Sequence, residues 1–460
     1  MAKGDENKNS NSVKPRLRLG LRPNINQFLL LILVNAFVGA MIGLEQTVVP
    51  LLGKEEFGLE SNVLVLSFIA GFGVVKAVHN LFAGNLSDRW NRKKVLVLGW
   101  LFGIPVPLIL LFAPGWDWIL FANILLGVNQ GLAWSMTVNM KIDLVGKEKR
   151  GLALGLNEFA GYVSVAFVGF LTGYMAATYG LKPYPFYLGI AFSLLGFIIS
   201  VVFIKDTSKF TALELQQEKD DQLKREQQKQ KDAEYDQKSR MGSNLSFEEV
   251  FFKTSWKNRS LLAASQAGLV NNLVFGVTWG LFTLYFVSFG IGVSDTAFLK
   301  ALHPGVWGFL QLATGPLSDM VGRKRLIYPG MIIQALGIWI ILFAEGSYFG
   351  LFIGMLFLGV GTALVYPTLL AAISDIANPQ WRATSLGVYR FWRDLGFVFG
   401  AVGIGVVADA FDLSITVQTV AWIALGSGIF VLLVMKETIR KQPHMMTYST
   451  VFRLSLQFWQ

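Results

Sequence analysis

The chain has 460 residues, of which 53% are hydrophobic and only 15% charged, with a mean hydropathy of +0.49; a soluble core of that apolarity would be unusual. It has no cysteine, which excludes disulfides and thiolate chemistry, and its three histidines, His79, His303 and His444, form no metal-spaced cluster, so neither metal nor cofactor is expected. The formal net charge of +10 is confined to loops and tails, which makes it a signal of membrane topology and not of nucleic-acid binding.

Residues 1–25 form a polar, basic tail with no short apolar stretch and cleavage site ahead of the first span, so no removed signal peptide is expected. Six apolar runs follow, at 26–51, 61–83, 95–113, 118–141, 151–177 and 184–205, each near the roughly 20 residues that cross a bilayer. Pro105 and Pro107 break the third. Residues 206–257 are hydrophilic. Thr211–Arg240 reads as a solvated helix or disordered linker, and Ser246 with Glu249 has capping-box spacing ahead of a short amphipathic helix. Six further spans are expected at 258–289, 295–314, 326–344, 347–373, 383–408 and 415–436, then a tail over 437–460. The expected units are therefore two six-helix bundles, 26–205 and 258–436, joined by the linker. Basic residues crowd alternate loops and both tails, which places both termini in the cytoplasm of a multi-pass protein of the plasma (inner) membrane.

One short motif occurs twice. Gly84-Asn85-Leu86-Ser87-Asp88-Arg89-Trp90-Asn91-Arg92-Lys93-Lys94 returns as Gly315-Pro316-Leu317-Ser318-Asp319-Met320-Val321-Gly322-Arg323-Lys324-Arg325, each between two apolar runs. Gly84 and Gly315 would allow close helix approach, Asp88 and Asp319 would sit just past a helix end, and Asn91 and Gly322 both tolerate positive φ. A constant offset then pairs Gly127 with Gly359, Asp143 with Asp375, Arg150 with Arg382, Gly155 with Gly387 and Gly173 with Gly405. The chain is thus an internal duplication.

The G-x-L-S-D-R-x-x-R-K-K turn resembles the signature loop that the major facilitator superfamily carries after its second and eighth helices. The repeated Asp-x6-Arg element resembles the acidic-x6-Arg element beside that loop. The resemblance implies an all-α membrane fold of twelve spans in two pseudo-symmetric six-helix bundles that open alternately to either side of the membrane. It implies a cytoplasmic gate of Gly84, Asp88, Arg89, Arg92, Asp143 and Arg150 in one half and Gly315, Asp319, Arg323, Asp375 and Arg382 in the other; surface ion pairs of little energy are the plainer alternative. The sequence departs from the family at Asn91, at Met320, at Asn129 (where proton-coupled members carry Arg before the Gln-Gly pair), and in lacking the Gly-Pro run of antiporters in its fifth span.

Ionisable groups at membrane depth are costly and mark a pathway or a buried partner. Here they are Glu45, Lys76, His79, Glu158, Arg390, Arg393 and Asp394. Glu158 and Arg390 occupy equivalent positions of the repeat: one is read as a proton acceptor or cation contact, the other as an anion contact or its counter-ion. In the family fold the second and eleventh helices meet, so Lys76 and Asp394 are expected to pair as an inter-half latch. Mutual neutralisation for packing remains the alternative for all these charges. Glu45 reads equally as a solute or proton group and as an interfacial residue, and His79 and His303 read as structural. The cavity-lining helices of the family would bring in Asn35, Asn129, Gln130, Trp134, Trp279 and Tyr366; amides among aromatic walls suit a small organic solute.

No phosphate-cradling G-x-x-x-x-G-K-[ST] loop is present, which argues against built-in ATP hydrolysis, and the chain reads as a transporter and not an enzyme. The expected function is proton-coupled secondary transport of a small organic solute by a monomer in the lipid bilayer, as an exporter. Two alternatives stay open: a uniporter or importer of an organic anion, and a non-transporting membrane sensor or scaffold built on the charged linker.

Overall fold

Backbone polar groups in a bilayer must be satisfied within the chain, and helices do this segment by segment. The structure, a computed structural model, describes residues 17–146, 150–214, 216, 245–377 and 381–439; every regular element among them is helical. The spans are α1 (Arg22–Glu56), α2 (Asn62–Trp90), α3 (Arg92–Phe112), α4 (Trp116–Val145), α5 (Arg150–Tyr179), α6 (Tyr184–Val202), α7 (Arg259–Trp279, continued as Leu281–Ser288), α8 (Val293–Val321), α9 (Lys324–Phe343), α10 (Tyr348–Ile376), α11 (Arg382–Ala410) and α12 (Leu413–Val434). Eleven of these carry a stretch long and apolar enough to cross a membrane among the described residues. The exception, α8, has 29 residues and holds Asp295, Lys300 and Asp319.

The duplication is visible in the packing. α1 lies on α5 as α7 lies on α11, and α2 on α4 as α8 on α10. The two halves meet along α2–α11 and α5–α8. Glycine permits the closest crossings, and these too are paired. A Cβ on Gly39 of α1 would stand 2.2 Å from the Gly161 carbonyl oxygen of α5, and one on Gly396 of α11 would stand 2.2 Å from the Leu269 carbonyl oxygen of α7. The clash is with main chain, which cannot rotate away. We therefore expect Gly39→Val and Gly396→Val each to destabilise the protein by about 1–3 kcal/mol, seen as a lowered melting temperature in detergent; an unchanged melt would mean these crossings are looser than described.

Both signature turns carry positive φ where expected, 101° at Asn91 and 112° at Gly322, and the Asn91 side chain caps the next helix by accepting from Lys94 N at 2.9 Å. Three expectations need correction. Neither Asp88 nor Asp319 is past a helix end: α2 runs on to Trp90 and α8 to Val321, and the Asp319 carboxylate sits in the last turn of α8. Gly315 has open space where a Cβ would stand, so no close approach requires it in this conformation. α1 is not one continuous helix over 26–51 but unwinds over Leu44–Thr47 and resumes to Glu56. The capping box forms as the spacing predicts: Ser246 and Glu249 bond reciprocally at the start of a helix over Phe247–Phe252. Of the expected solvated segment Thr211–Arg240, residues 215 and 217–240 lie outside the described residues.

Candidate functional site

The offset that pairs Glu158 with Arg390 brings both to one cavity between the halves, together with Lys76, Asn80, Trp134, Tyr162, Tyr366 and Arg393. Its lining carboxylate, Glu158, is well served. Glu158, on α5, accepts from Trp134 Nε1 at 2.9 Å, Asn157 Nδ2 at 3.0 Å and Tyr366 OH at 3.0 Å. Asp394, on α11, accepts from Asn80 Nδ2 of α2 and lies 3.7 Å from its neighbour Arg393. Arg393 donates to Tyr162 OH at 2.7 Å and stacks 4.5 Å above the Tyr366 ring. Three of these bonds, Tyr366–Glu158, Arg393–Tyr162 and Asn80–Asp394, join the two halves.

Lys76 does not form the expected ion pair with Asp394 among the described residues. Its ammonium is instead enclosed by three rings, Phe72 at 5.2 Å, Trp134 at 5.7 Å and Phe397 at 5.5 Å, the last contributed by the opposite half. Cation–π contact offsets part of the cost of burying that charge. Around the cavity stand three cations, Lys76, Arg390 and Arg393, against the two carboxylates Glu158 and Asp394. The free space is about 10 Å³, room for about one water molecule, so the site is collapsed in this state.

The amides predicted to line the cavity do other work. Asn35 donates to the Asn157 carbonyl at 2.7 Å and accepts from Thr137 Oγ1 at 2.8 Å, tying α1 to α5 and α4. Asn129 donates to the Gly99 carbonyl and Gln130 to the Val38 carbonyl, inside the first half. Trp279 is fully buried among Phe68, Phe72 and Phe397. Glu45 is fully buried beside the break in α1, and neither carboxylate oxygen has a hydrogen-bond partner among the described residues. His303 bridges Thr278 of α7 and Thr362 of α10, and His79 contacts the Val75 carbonyl one turn back, which fits structural roles for both.

On the basic face, where the signature turns lie, the two halves build the same network. Arg92 pairs with Asp143 at 3.2 Å and bonds Ser87 Oγ, while Thr207 Oγ1 donates to Asp143 at 2.6 Å. Arg323 pairs with Asp375 at 3.0 Å and Asp319 at 2.5 Å and bonds Ser318 Oγ, while Thr438 Oγ1 donates to Asp375 at 2.9 Å. The threonines come from Lys205-Asp206-Thr207 and Lys436-Glu437-Thr438, a third element of the repeat that sequence reasoning missed although the two triplets nearly match. Arg382 donates to the Ala377 carbonyl at 3.3 Å. The side chains of Asp88, Arg89 and Arg150 lie outside the described residues, as does anything beyond the backbone at Gly84. The ion pairs described on this face each join elements of a single half.

The opposite face is sealed. Val38–Gly53 of α1 and Val270–Phe286 of α7 are continuously buried. Lys300, a buried lysine of α8 that no motif announces, donates to the Gln46 carbonyl, to the Trp279 carbonyl at 2.9 Å and to Thr283 Oγ1. Those carbonyls sit at the breaks in α1 and α7, where helix geometry leaves acceptors unused. Asp409 at the end of α11 caps the start of α2, accepting from Ser61 Oγ at 2.5 Å, Asn62 N at 2.5 Å and Val63 N at 3.2 Å. Lys141, also missed from sequence, is buried on α4 against the Leu31 carbonyl at 3.1 Å.

A family model described as Major Facilitator Superfamily matches residues 25–401 and 267–444. The chain belongs to the Major Facilitator Superfamily. It is 22% identical to an uncharacterized MFS-type transporter of Methanocaldococcus jannaschii, over 77% of this chain and 84% of that one. It is 25% identical to Multidrug resistance protein 2 of Bacillus subtilis, over 86% of this chain and 92% of that one. Among solved structures, a D-xylose-proton symporter superposes with a TM-score of 0.70 at 15% identity, covering 91% of this chain and 99% of the other. Membership fixes the broad class: a membrane transporter built of twelve helices in two related bundles.

Proposed function

We propose that this facilitator is a secondary transporter that carries a small organic solute by alternating access and couples that movement to protons through Glu158. The observation that carries the reading is the bond from Tyr366 to Glu158 across the two halves, inside a cavity that the repeat-related charges share. Protonation of this carboxylate would weaken the hydrogen bonds it accepts and loosen the contact between bundles. The moving bodies are residues 26–205 and 258–436, and the basic face, with both termini, lies in the cytoplasm. A relative named for multidrug resistance supports the export direction.

A second reading concerns the solute. Three cations against two carboxylates leave the cavity one positive charge in excess, which favours an organic anion. Flux in proteoliposomes with and without an imposed pH gradient tests the first reading: solute should accumulate only with the gradient. Flux that only equilibrates the solute and ignores the gradient would leave a uniporter, and competition by carboxylated but not by amidated analogues would support the anion.

A further inference from the structure

Away from the central cavity, on the basic face, a groove of about 570 Å³ lies between the start of α7, the start of α9 and the end of α12. Arg259, Lys324 and Lys436 stand on its rim. Leu262, Phe430, Leu433 and Val434 form its wall, and Leu433 is 76% exposed. Glu437 also lines the groove, but its carboxylate already accepts from Arg323 N at 2.8 Å, and Thr438 N donates to it at 3.0 Å. The groove therefore presents three cations and one carboxylate, a net positive charge, above an apolar wall. Arg259 and Lys324 open their helices, and Lys436 stands just past the end of α12, so the rim lies where apolar helix gives way to polar chain. That is the level at which hydrocarbon meets headgroup in a bilayer.

We propose that this groove binds one anionic phospholipid of the basic-face leaflet, its phosphate held by Arg259, Lys324 and Lys436 and one acyl chain lying along Leu262, Phe430 and Leu433. Charge complementarity argues for this occupant over the chain's own tail. Residues 440–460 contain Arg440, Lys441 and Arg453 and no acidic side chain, so the tail would bring cations to a cationic rim. A soluble phosphate would use the rim and leave the apolar wall in water, whereas a lipid uses both. The site shares no residue with the central cavity.

The test is lipid retention by the full chain. Protein is reconstituted in phosphatidylcholine nanodiscs doped with phosphatidylglycerol, extracted in mild detergent, and the retained lipid identified by native mass spectrometry. The protein should keep phosphatidylglycerol in preference to phosphatidylcholine. Each lost cation should lower that preference roughly fivefold, and Arg259→Gln, Lys324→Gln and Lys436→Gln together roughly a hundredfold. Lys436→Gln alone, placed beyond the last helix, gives the fivefold step if the triple variant does not fold. Equal retention of both lipids by the unmodified protein, or unchanged preference in the variants, overturns the proposal. So does displacement of phosphatidylglycerol by glycerol 3-phosphate at matched concentration, which would reduce the site to a phosphate contact.

Discussion

Glu158→Gln should abolish pH-gradient-driven accumulation in proteoliposomes while leaving solute exchange across the membrane intact. The substitution keeps shape and most contacts. Trp134 Nε1 and Asn157 Nδ2 both donate to Oε1, which the amide retains as its carbonyl oxygen, and the new amide group can donate to the Tyr366 oxygen. What disappears is the charge and with it the capacity to bind and release a proton. Charge-assisted bonds of this kind contribute about 1.5–3 kcal/mol each, so the balance between the bundle conformations should also become insensitive to pH. Driven flux should fall to the level set by the solute gradient alone, and its pH dependence should flatten. Driven flux at the original level would remove Glu158 from the coupling step, and the buried, unpartnered Glu45 would then be the next group to test.

Lys300→Met should open the face opposite the signature turns. The ammonium reaches from α8 to the Gln46 carbonyl of α1, so it ties one half to the other at the point where both α1 and α7 are broken. Methionine has nearly the same length and no donor. Losing one charge-assisted bond between the halves costs the closed form about 1.5–3 kcal/mol, which raises the open population roughly 10- to 100-fold. The natural chain has no cysteine, so a single introduced one reports without background. Thr47→Cys, at a position only 1% exposed in the sealed face, should react with a membrane-impermeant maleimide at least about tenfold faster when Lys300 is methionine. Equal labelling rates with and without Lys300 would show that apolar packing alone closes this face.

The central charge cluster was legible in the sequence because duplication supplies a ruler. A constant offset lines Glu158 up with Arg390, and pseudo-symmetric positions on inward helices must meet near the axis. The turns were legible for a local reason: Asn91 and Gly322 are residue types that accept positive φ, and the backbone there has it. Lys300 was not legible because its acceptors are main-chain carbonyls released by breaks in other helices, and carbonyls have no residue type. The contacts of Asn35, Asn129 and Gln130 in this conformation were not legible for a related reason. A polar residue within a span can face the pathway or a neighbouring helix, and periodicity in an all-apolar helix does not say which. Lys76 shows a third limit. Its pairing was inferred from the contact of two helices, yet rings from α2, α4 and α11 reach the ammonium where the carboxylate does not.

The near-absence of free volume at the centre has a consequence for measurement. A solute that binds here, as proposed, must first part Tyr366 from Glu158 and Tyr162 from Arg393, so its binding constant will contain the rarity of the parted form. If that form is populated one part in a hundred, an intrinsically micromolar ligand will register as roughly a hundredfold weaker. Mutations that slacken the cluster should then sharpen titrations, and a screen run on such a loosened variant would detect ligands that the natural protein hides.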